Sequence, residues 1–533
     1  MSYAGHRLTS AEWAGGDVWL LVITWDGRPY RFATRAVEVT TADGDVLPFA
    51  GGLDIDPELR ADIADNGAED SIPIDSLLFP VSVAAEDRAG RPLVGASAEL
   101  SVWSTSRTYE ERELVISGTV GAARFGGIDA PVSIDLEPAS MEEGALIPSP
   151  GAVVTETGWP NAASTALGLS YPLVFGRPGL GATVDEKSRG GAPALLVDTT
   201  SNGVWLVSDG RVAAANGTSA AAFIVNTADG SSEAATVTQT TDGNGRLCAI
   251  VTGAGGGSPV TVDDAATYWL DWSTTDGGIV KDDGNDAAET AGDVALWLLA
   301  RSSAKIDRGR WEAAADSLTG YRFAFYFDEP AAPLDRVVDL FAALPVSIGT
   351  GPGGVSPTVV NLEAREVDAV THIEEGRNVD PADGGLVTVD RGDIVNELRV
   401  SYGPRADNGE MQHAFTLTGD LNATGATIVP ACVASHSVHG SRVESLELPY
   451  VYESATALRI AHSVLRARAL APRVTTWADR TGGLGWLQAG DVVTLTSSRL
   501  SYTSQVAHVI GRRPLSQTIE IAVYPSLSRD SRT

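Results

Sequence analysis

The sequence predicts a mainly β, multidomain protein, and three observations carry that prediction. The chain has 533 residues, a length that suggests three or four domains rather than one core. Apolar residues make up 43% and charged residues 20%, so each domain can bury an ordinary core. Glycine (57 residues) and proline (27 residues) separate short apolar runs with a period near two, a pattern typical of strands joined by turns.

Residues 1–145 are predicted to form an N-terminal β-barrel. Residues 18–25 are apolar, and Asp26-Gly27 is a strong hairpin signal before the next strand-like run. Asp43-Gly44 marks a second hairpin in the same way. Further strand signals, broken by Gly, Asp and Pro, recur at residues 72–77, 81–83, 98–103, 113–117 and 132–136.

The composition changes after this region. Residues 146–180 form a connector rich in proline and glycine, and residues 181–312 are predicted to be an inserted β-rich module. The module is dominated by Gly, Ala, Ser, Thr and Asp, with strand-like patches at 203–207 and 266–272. Near its end, residues 291–300 carry apolar side chains at helical spacing.

The remainder is predicted to be an α+β middle domain, residues 313–440, and a helix followed by a C-terminal β-barrel, residues 441–533. The clearest helix runs from Ser454, which is suited to cap it, to about Leu470, and Pro472 ends it. Its predicted buried stripe is Ala457, Leu458, Ala461, Val464 and Leu465. Later strands are expected at 473–477, 492–496, 505–510 and 518–524.

Charge and composition exclude several classes of function. The formal net charge of −31 repels phosphate backbones and anionic lipid, so specific nucleic-acid binding is not expected. No window has the length and apolar character of a transmembrane segment, and the N-terminus lacks the parts of a signal peptide. We therefore expect a protein made and folded in a cytoplasm. Cys248 and Cys432 are too few for a disulfide framework and are expected to be buried free thiols.

Glycine patterns that could bind a nucleotide are weak. Gly349, Gly351 and Gly354 match G-x-G-x-x-G, but a dinucleotide site needs a helix to follow, and residues 355–360 predict a strand. A hairpin turn is therefore favoured there. Gly176, Gly179 and Gly181 lack the Lys-Ser/Thr pair of a phosphate loop.

Metal ligands and nucleophiles find little more support. His436 and His439 are three residues apart, but their context does not clearly predict a helix and no third zinc ligand lies near. Asp282, Asp283, Asp286 and Glu289 form an acidic loop without the calcium-loop spacing. Cys432 lies close to His436, with nothing evident that would lower the pKa of the thiol. We predict no catalytic, cofactor-binding or metal-binding residue.

Aromatic residues pose a last question. Tyr268, Trp269 and Trp272 could form a carbohydrate platform. In a strand, however, Tyr268 and Trp272 share one face and Trp269 points to the other, so core filling is favoured.

The final third of the chain resembles the baseplate hub, or tail-tip attachment, proteins of long-tailed bacteriophages and gene transfer agents. Residues 389–402 are similar to that family's strand of the form D-hydrophobic-V-N-x-hydrophobic-x-V-x-Y, and the helix from Ser454 follows in the same order. Residues 487–495 are similar to its G-D-V-V-x-L strand, through Gly490 and Asp491. Upstream, residues 115–120 resemble a segment of the family's first barrel.

The resemblance implies a structural role without catalysis. Such hubs are typically homotrimers in which two tail-tube-like barrels per chain make a pseudo-sixfold ring. The ring joins the sixfold distal tail protein to threefold tip structures around the DNA channel. The implied partners are the distal tail protein, the tape measure protein and tail-tip or fibre proteins, and the implied location is the virion tail tip. Two alternatives stay open: a receptor- or carbohydrate-binding tail protein that reads through residues 181–312, and a tail-associated cell-wall hydrolase.

Overall fold

The structure, a computed structural model, describes most of the chain, and every statement below concerns the described residues alone. These are residues 18–53, 59–60, 72–80, 83, 86, 90–125, 131–138, 146–178, 191–200, 202–213, 222–226, 228, 231–253, 260–272, 277–282, 284, 286–302, 304–351, 354–362, 364–382, 394–405, 409–470, 473–484, 486–513 and 518–524.

The first part of the chain forms an eight-stranded sheet. Its strands are β1 (Val18–Trp25), β2 (Arg28–Ala33), β3 (Val37–Thr40), β4 (Val46–Gly51), β6 (Ile72–Leu77), β7 (Ser97–Trp103), β8 (Glu113–Phe125) and β9 (Val132–Pro138), while β5 (Leu59–Arg60) pairs elsewhere. The spatial order is β3-β4-β2-β1-β7-β8-β9-β6. Asp26 and Gly27 both have positive φ, as the tight β1–β2 hairpin requires. The predicted strand at 81–83 lies mostly outside the described residues.

A closed barrel follows. After β10 (Leu173–Phe175), the strands β11 (Ala192–Asp198), β12 (Val204–Asp209), β13 (Ala222–Asn226), β14 (Ser232–Thr241), β15 (Leu247–Gly253) and β16 (Tyr268–Trp272) close in the order β11-β12-β15-β14-β13-β16. The chain enters and leaves the barrel side by side, because the Gly278 amide donates to the Gly176 carbonyl at 2.8 Å and the Ile279 amide donates to the Val174 carbonyl at 2.7 Å.

A helical layer packs beside the barrel. It contains α1 (Ala291–Leu299), α2 (Arg308–Ser317), β17 (Phe325–Phe327), α3 (Pro333–Phe341), β18 (Val346–Gly351) and β19 (Gly354–Val359). Thr290 caps α1 by accepting from the Asp293 amide at 3.2 Å. β17 pairs with β10, which ties this layer to the chain segment that enters the barrel.

The last part of the chain interleaves two sheets. In chain order come β20 (Thr371–Glu374), β21 (Val379–Pro381), β22 (Glu397–Pro404), β23 (Met411–Thr418), β24 (Thr427–Ile428), α4 (Pro430–His439), β25 (Val443–Leu448), α5 (Ser454–Arg468), β26 (Arg473–Asp479), β27 (Val492–Ser497), β28 (Tyr502–Arg513) and β29 (Thr518–Val523). A four-stranded sheet has the order β24-β23-β22-β25, and its core continues into the helical layer. A seven-stranded sheet has the order β20-β27-β28-β29-β26-β21, with β5 joined to β28.

Two helix predictions need correction. Ser454 does not cap α5: Glu453 is the N-cap residue, and its side chain makes no cap hydrogen bond. The buried face of α5 is Thr456, Ala457, Ile460, Ala461 and Leu465, while Leu458 is exposed, so the apolar stripe is rotated relative to the prediction. Pro472 lies outside the described residues.

The segment with His436 and His439 is also a helix, α4, although the sequence did not clearly predict one. Pro430 stands in its first turn, where a missing amide proton costs nothing.

The predicted fold class, a mainly β chain with a few short helices, is confirmed. The longest described helix, α5, has 15 residues, and no described helix combines the length and apolar character that a bilayer crossing requires.

Candidate assembly site

The two ends of the chain contain the same four-stranded arrangement. In the first sheet, β6, β7, β8 and β9 follow one another in sequence and lie in the spatial order β7-β8-β9-β6, with every pair antiparallel. In the last sheet, β26, β27, β28 and β29 lie in the order β27-β28-β29-β26, again all antiparallel. We call these the first unit (β6–β9) and the second unit (β26–β29).

The same turn begins the second strand of each unit. In the first unit, Gly95 has φ +87°, its amide donates to the Val120 carbonyl at 2.7 Å, and the Val120 amide donates to the Ala96 carbonyl at 2.9 Å. In the second unit, Gly490 has φ +92°. Its amide donates to the Val509 carbonyl at 2.8 Å, and the Val509 amide donates to the Asp491 carbonyl at 2.9 Å. Both turns thus use a glycine because the backbone needs positive φ.

The irregularities of the ladders coincide as well. The β8–β9 register shifts directly after the Val120–Leu136 pair, and the β28–β29 register shifts directly after the Val509–Ile521 pair. All four of these side chains are buried. The β7–β8 register shifts directly after Leu100, and the β27–β28 register shifts directly after Leu495. Bulges at matching positions make β7, β8 and β9 equivalent to β27, β28 and β29, whereas the β6–β9 ladder has a further shift between Ile74 and Leu77 that the β26–β29 ladder lacks.

The first part of the chain is joined directly to the second unit. The backbone of β5, which precedes the first unit in the chain, pairs with Gly511 and Arg512 at the end of β28 in the second unit. The side chain of Trp486 packs against the cores of both end sheets. The helical layer is hydrogen-bonded to both end sheets. Lys305 Nζ donates to Ser117 Oγ of β8 at 2.8 Å, and Arg310 Nη2 donates to Gln488 Oε1, just before β27, at 2.7 Å.

The residues that carry the sequence resemblance hold segments of the backbone in place. Asn396 is fully buried at the start of β22; its amide Nδ2 donates to Ser435 Oγ at 3.2 Å and to the Gly440 carbonyl at 2.9 Å. Its Oδ1 accepts from the Arg442 amide at 2.8 Å. One side chain therefore holds together the start of β22, the end of α4 and the start of β25. Residues 389–393 of the same motif lie outside the described residues.

Gly490 and Asp491 act in a similar way. A Cβ on Gly490 would stand 2.5 Å from Cγ2 of Thr358 in β19, so the turn packs closely on that hairpin. Asp491 Oδ2 accepts a hydrogen bond from the Gln488 amide at 2.7 Å, which closes the turn between these two residues. These roles are structural, since neither residue faces another reactive group in these contacts.

The candidate nucleophile and metal ligands are not assembled into a site. Burial raises the pKa of the Cys432 thiol to about 11 and that of the Cys248 thiol to about 12, so neither forms a thiolate readily. His436 and His439 lie on α4, half-buried, one turn apart. Within the described ranges no group of three His, Cys, Asp or Glu side chains is arranged to hold a metal ion.

The acidic loop is divided among ion pairs. Asp282 accepts from both Nη atoms of Arg301, at 3.1 and 2.9 Å. Glu289 lies in a different cluster, 3.1 Å from Arg177 Nε and 3.4 Å from Arg322 Nη1, and burial is the main cause that raises its pKa. Asp283 lies outside the described residues. Glu289 thus ties the barrel's entry segment to the helical layer.

In the two glycine patterns, the glycines that the structure describes shape the backbone. Gly351 and Gly354 pair across the tip of the β18–β19 hairpin, as the sequence favoured, and no helix follows. Gly176 has φ +57° and lies against the Phe323 carbonyl, where a side chain would clash. Gly179 and Gly181 lie outside the described residues.

Two of the three candidate platform aromatics fill the barrel. Tyr268 and Trp272 are buried inside it and Trp269 is half-buried on its outside, in agreement with the alternation of a strand. They cannot form one flat surface.

A cleft of about 310 Å³ lies instead between the barrel and α1. Its apolar wall includes Ile147, Leu173 and Trp297. Its charged rim carries the pairs Asp209–Arg246 and Asp282–Arg301, and the Arg301 guanidinium lies 3.5 Å from the Trp297 ring centre. Sequence reasoning did not find this cleft, because its residues are distant in sequence.

The sequence resemblance implies two similar barrels per chain, but which residues correspond in the two units was not predictable from the sequence, although one signal existed. Gly95 and Gly490 each stand two residues before a strand, followed five residues later by Leu100 and Leu495. So short a match acquires meaning only when the hydrogen bonds are known.

No family model matches the chain, and no curated protein matches it. Among solved structures, it is similar to the tail protein from Neisseria meningitidis MC58, with 10% identity and a TM-score of 0.39, over 95% of this chain and 98% of that one. It is also similar to the 43 kDa tail protein of prophage MuSo2 from Shewanella oneidensis, with 8% identity and a TM-score of 0.36, over 95% and 98%.

A third similar structure is a chain of the virion of a native gene transfer agent particle. It has 16% identity and a TM-score of 0.18, over 48% of this chain and 79% of that one. These three solved structures are thus two tail proteins and a chain of a virion.

Proposed function

We propose that this chain is a structural baseplate hub subunit of a phage-type tail tip, which joins the sixfold distal tail to threefold tip structures around the DNA channel. One observation carries the proposal: the same four-stranded unit occurs at both ends of the chain, with the same turn and the same bulge. Three copies bring together six equivalent units, so a trimer presents six similar surfaces while keeping threefold symmetry.

The sequence resemblance supports the same role. Its residues Asn396, Gly490 and Asp491 fix the backbone of the second unit and of the sheet next to it. The proposal includes the partners that the resemblance implies: a homotrimer, the distal tail protein, the tape measure protein and tail-tip or fibre proteins. It also includes the five-segment division of the chain and a position at the virion tail tip.

Charge supports a channel through which DNA passes without binding. With a net charge of −31, the ring would repel phosphate groups, so we propose no specific nucleic-acid binding. We also propose that the chain is not an enzyme. Zymography of the purified protein on cell walls tests this, and a cleared zone abolished by one carboxylate substitution would contradict it.

Native mass and shape test the hub proposal most directly. We expect light scattering and electron microscopy of the purified chain, alone or with the distal tail protein, to give a ring of three copies. A protein that stays monomeric with the distal tail protein and enters no tail would contradict the proposal.

The cleft beside the barrel favours a second candidate, a receptor- or carbohydrate-binding tail protein. Paired guanidinium and carboxylate groups beside an apolar wall suit a polar ligand with an apolar face. Glycan-array binding by the full chain, lost in Arg301→Ala, would support this candidate; equal binding by the variant would contradict a role for the cleft.

A further inference from the structure

At the end of β28, a segment from another part of the chain covers an edge of the strand that would otherwise be unpaired. Beyond its bulge, β28 pairs with β29 on one side, through Gly511, Arg512 and Arg513. A strand has only two edges, so β5, which pairs with Gly511 and Arg512, lies on the other side, next to the start of β27. The second unit thus receives a backbone segment from the first part of the chain.

Among the described residues, the corresponding edge of the first unit has no such covering strand. Val120 corresponds to Val509, so Ala122 and Ala123 of β8 correspond to Gly511 and Arg512. Residues 122–125 pair with β9 on one side, whereas the pairing of β7 with β8 ends at Thr119. Among the described residues no strand pairs with 122–125 on the β7 side; β18 approaches β8 without forming a ladder with it.

We propose that this β8 edge, residues 122–125, binds a backbone segment from the second unit of another copy of the chain. The inference rests on the proposed function and names the contact that would close the ring. In a ring of alternating units, the contact of the first part of the chain, through β5, with the second unit inside one chain must be matched by a contact with the first unit between chains. The internal β5–β28 pairing therefore serves as the template for the contact between copies.

The local chemistry suits a strand from an acidic partner. Main-chain hydrogen bonds provide the affinity of strand addition and do not depend on matching side chains. Ala122 is small, and Arg124, whose side chain is 72% exposed, forms an ion pair with Asp135 of β9 at 2.9 Å, so the Asp135 carboxylate is compensated where a partner strand would lie. This pairing lessens the charge repulsion by which an exposed strand edge is otherwise protected from a second copy.

The double variant Ala122→Glu/Arg124→Glu tests the contact in the full-length protein. Two added carboxylates on the edge repel an acidic copy, so we expect assembly to weaken at least tenfold, as measured by sedimentation, with an unchanged circular dichroism spectrum. The matched control is Arg399→Glu/Ser401→Glu, which places the same residues two apart on β22, where Arg399 is 63% exposed. The control should assemble as the wild type does.

Hydrogen exchange of the wild type is a second readout that needs no variant. Among residues 122–125, we expect the amides that point away from β9 to become protected when copies assemble and to exchange freely in the dissociated chain, while the amides that donate to β9 are protected in both states. A ring that forms equally well in the double variant, or protection that appears only with another tail protein, would overturn this inference and leave the hub role standing. A wild type that never assembles would overturn both.

Discussion

Gly95 and Gly490 occupy the same turn in the two units and differ in their surroundings. Both have positive φ, so alanine at either position strains the backbone by about 1–2 kcal/mol. A Cβ on Gly95 meets nothing within 4 Å, whereas one on Gly490 would stand 2.5 Å from Thr358 Cγ2. We expect Gly490→Ala to lower the melting temperature more than Gly95→Ala does in scanning calorimetry. Adding Thr358→Ser should remove the excess, and equal effects of the two alanine variants would contradict the close packing on β19.

His508, the counterpart of Thr119 in the first unit, should make stability depend on pH. Burial lowers its pKa from 6.5 to about 4. The unfolded chain therefore takes up the proton first as the pH falls below about 6.5, and folding stability is lost between there and pH 4. At pH 5 the loss is about 2 kcal/mol.

The variant His508→Phe removes this titration and retains a ring beside Tyr524, which packs edge-on against His508. We expect its unfolding free energy, measured in denaturant from pH 8 to pH 5, to fall less than that of the wild type. Parallel pH profiles would mean that His508 takes up its proton at the same pH in the folded and unfolded chains.

At the scale of elements, the side chain of Trp486 packs between the two end sheets. Truncating it should loosen the contact between them, because it packs against both cores. We expect Trp486→Ala to speed amide exchange at residues 510–512, where β5 pairs with β28. Trp269→Ala, on the outside of the closed barrel, is the control and should leave that exchange unchanged. Unaltered exchange in Trp486→Ala would show that backbone pairing alone holds the junction.

Elements with strong local signals were predictable, and those fixed by distant contacts were not. The β1–β2 hairpin follows from an apolar run and Asp26-Gly27, and both are local. The helix α4 and the buried face of α5 depend on what packs against them: Asn396 holds the end of α4, and α5 turns Ile460 rather than Leu458 inward. For the candidate site, Gly490 and Asp491 were found as a motif. Their pairing with Val509, and its copy at Val120, required the structure.

For the whole molecule, the net charge of −31 should oppose assembly. Copies of an acidic chain repel one another, and salt screens that repulsion over about 10 Å at 0.1 M. We expect the assembled fraction, measured by light scattering, to rise as sodium chloride is raised from about 20 to 200 mM. Sucrose at equal osmolarity is the control. Assembly that weakens with salt would mean that ion pairs between copies dominate.

The side-by-side entry and exit of the closed barrel has a consequence for how such chains diversify. Because the backbone at Gly176 and Gly278 is already hydrogen-bonded, the two ends of the inserted segment are held at a fixed spacing by the rest of the molecule. A different module with ends at that spacing, and with an apolar surface to replace the one that now covers Val174 of β10, would leave both end units undisturbed. The barrel can therefore be exchanged as a separate module, and chimeras joined at these two glycines would test this.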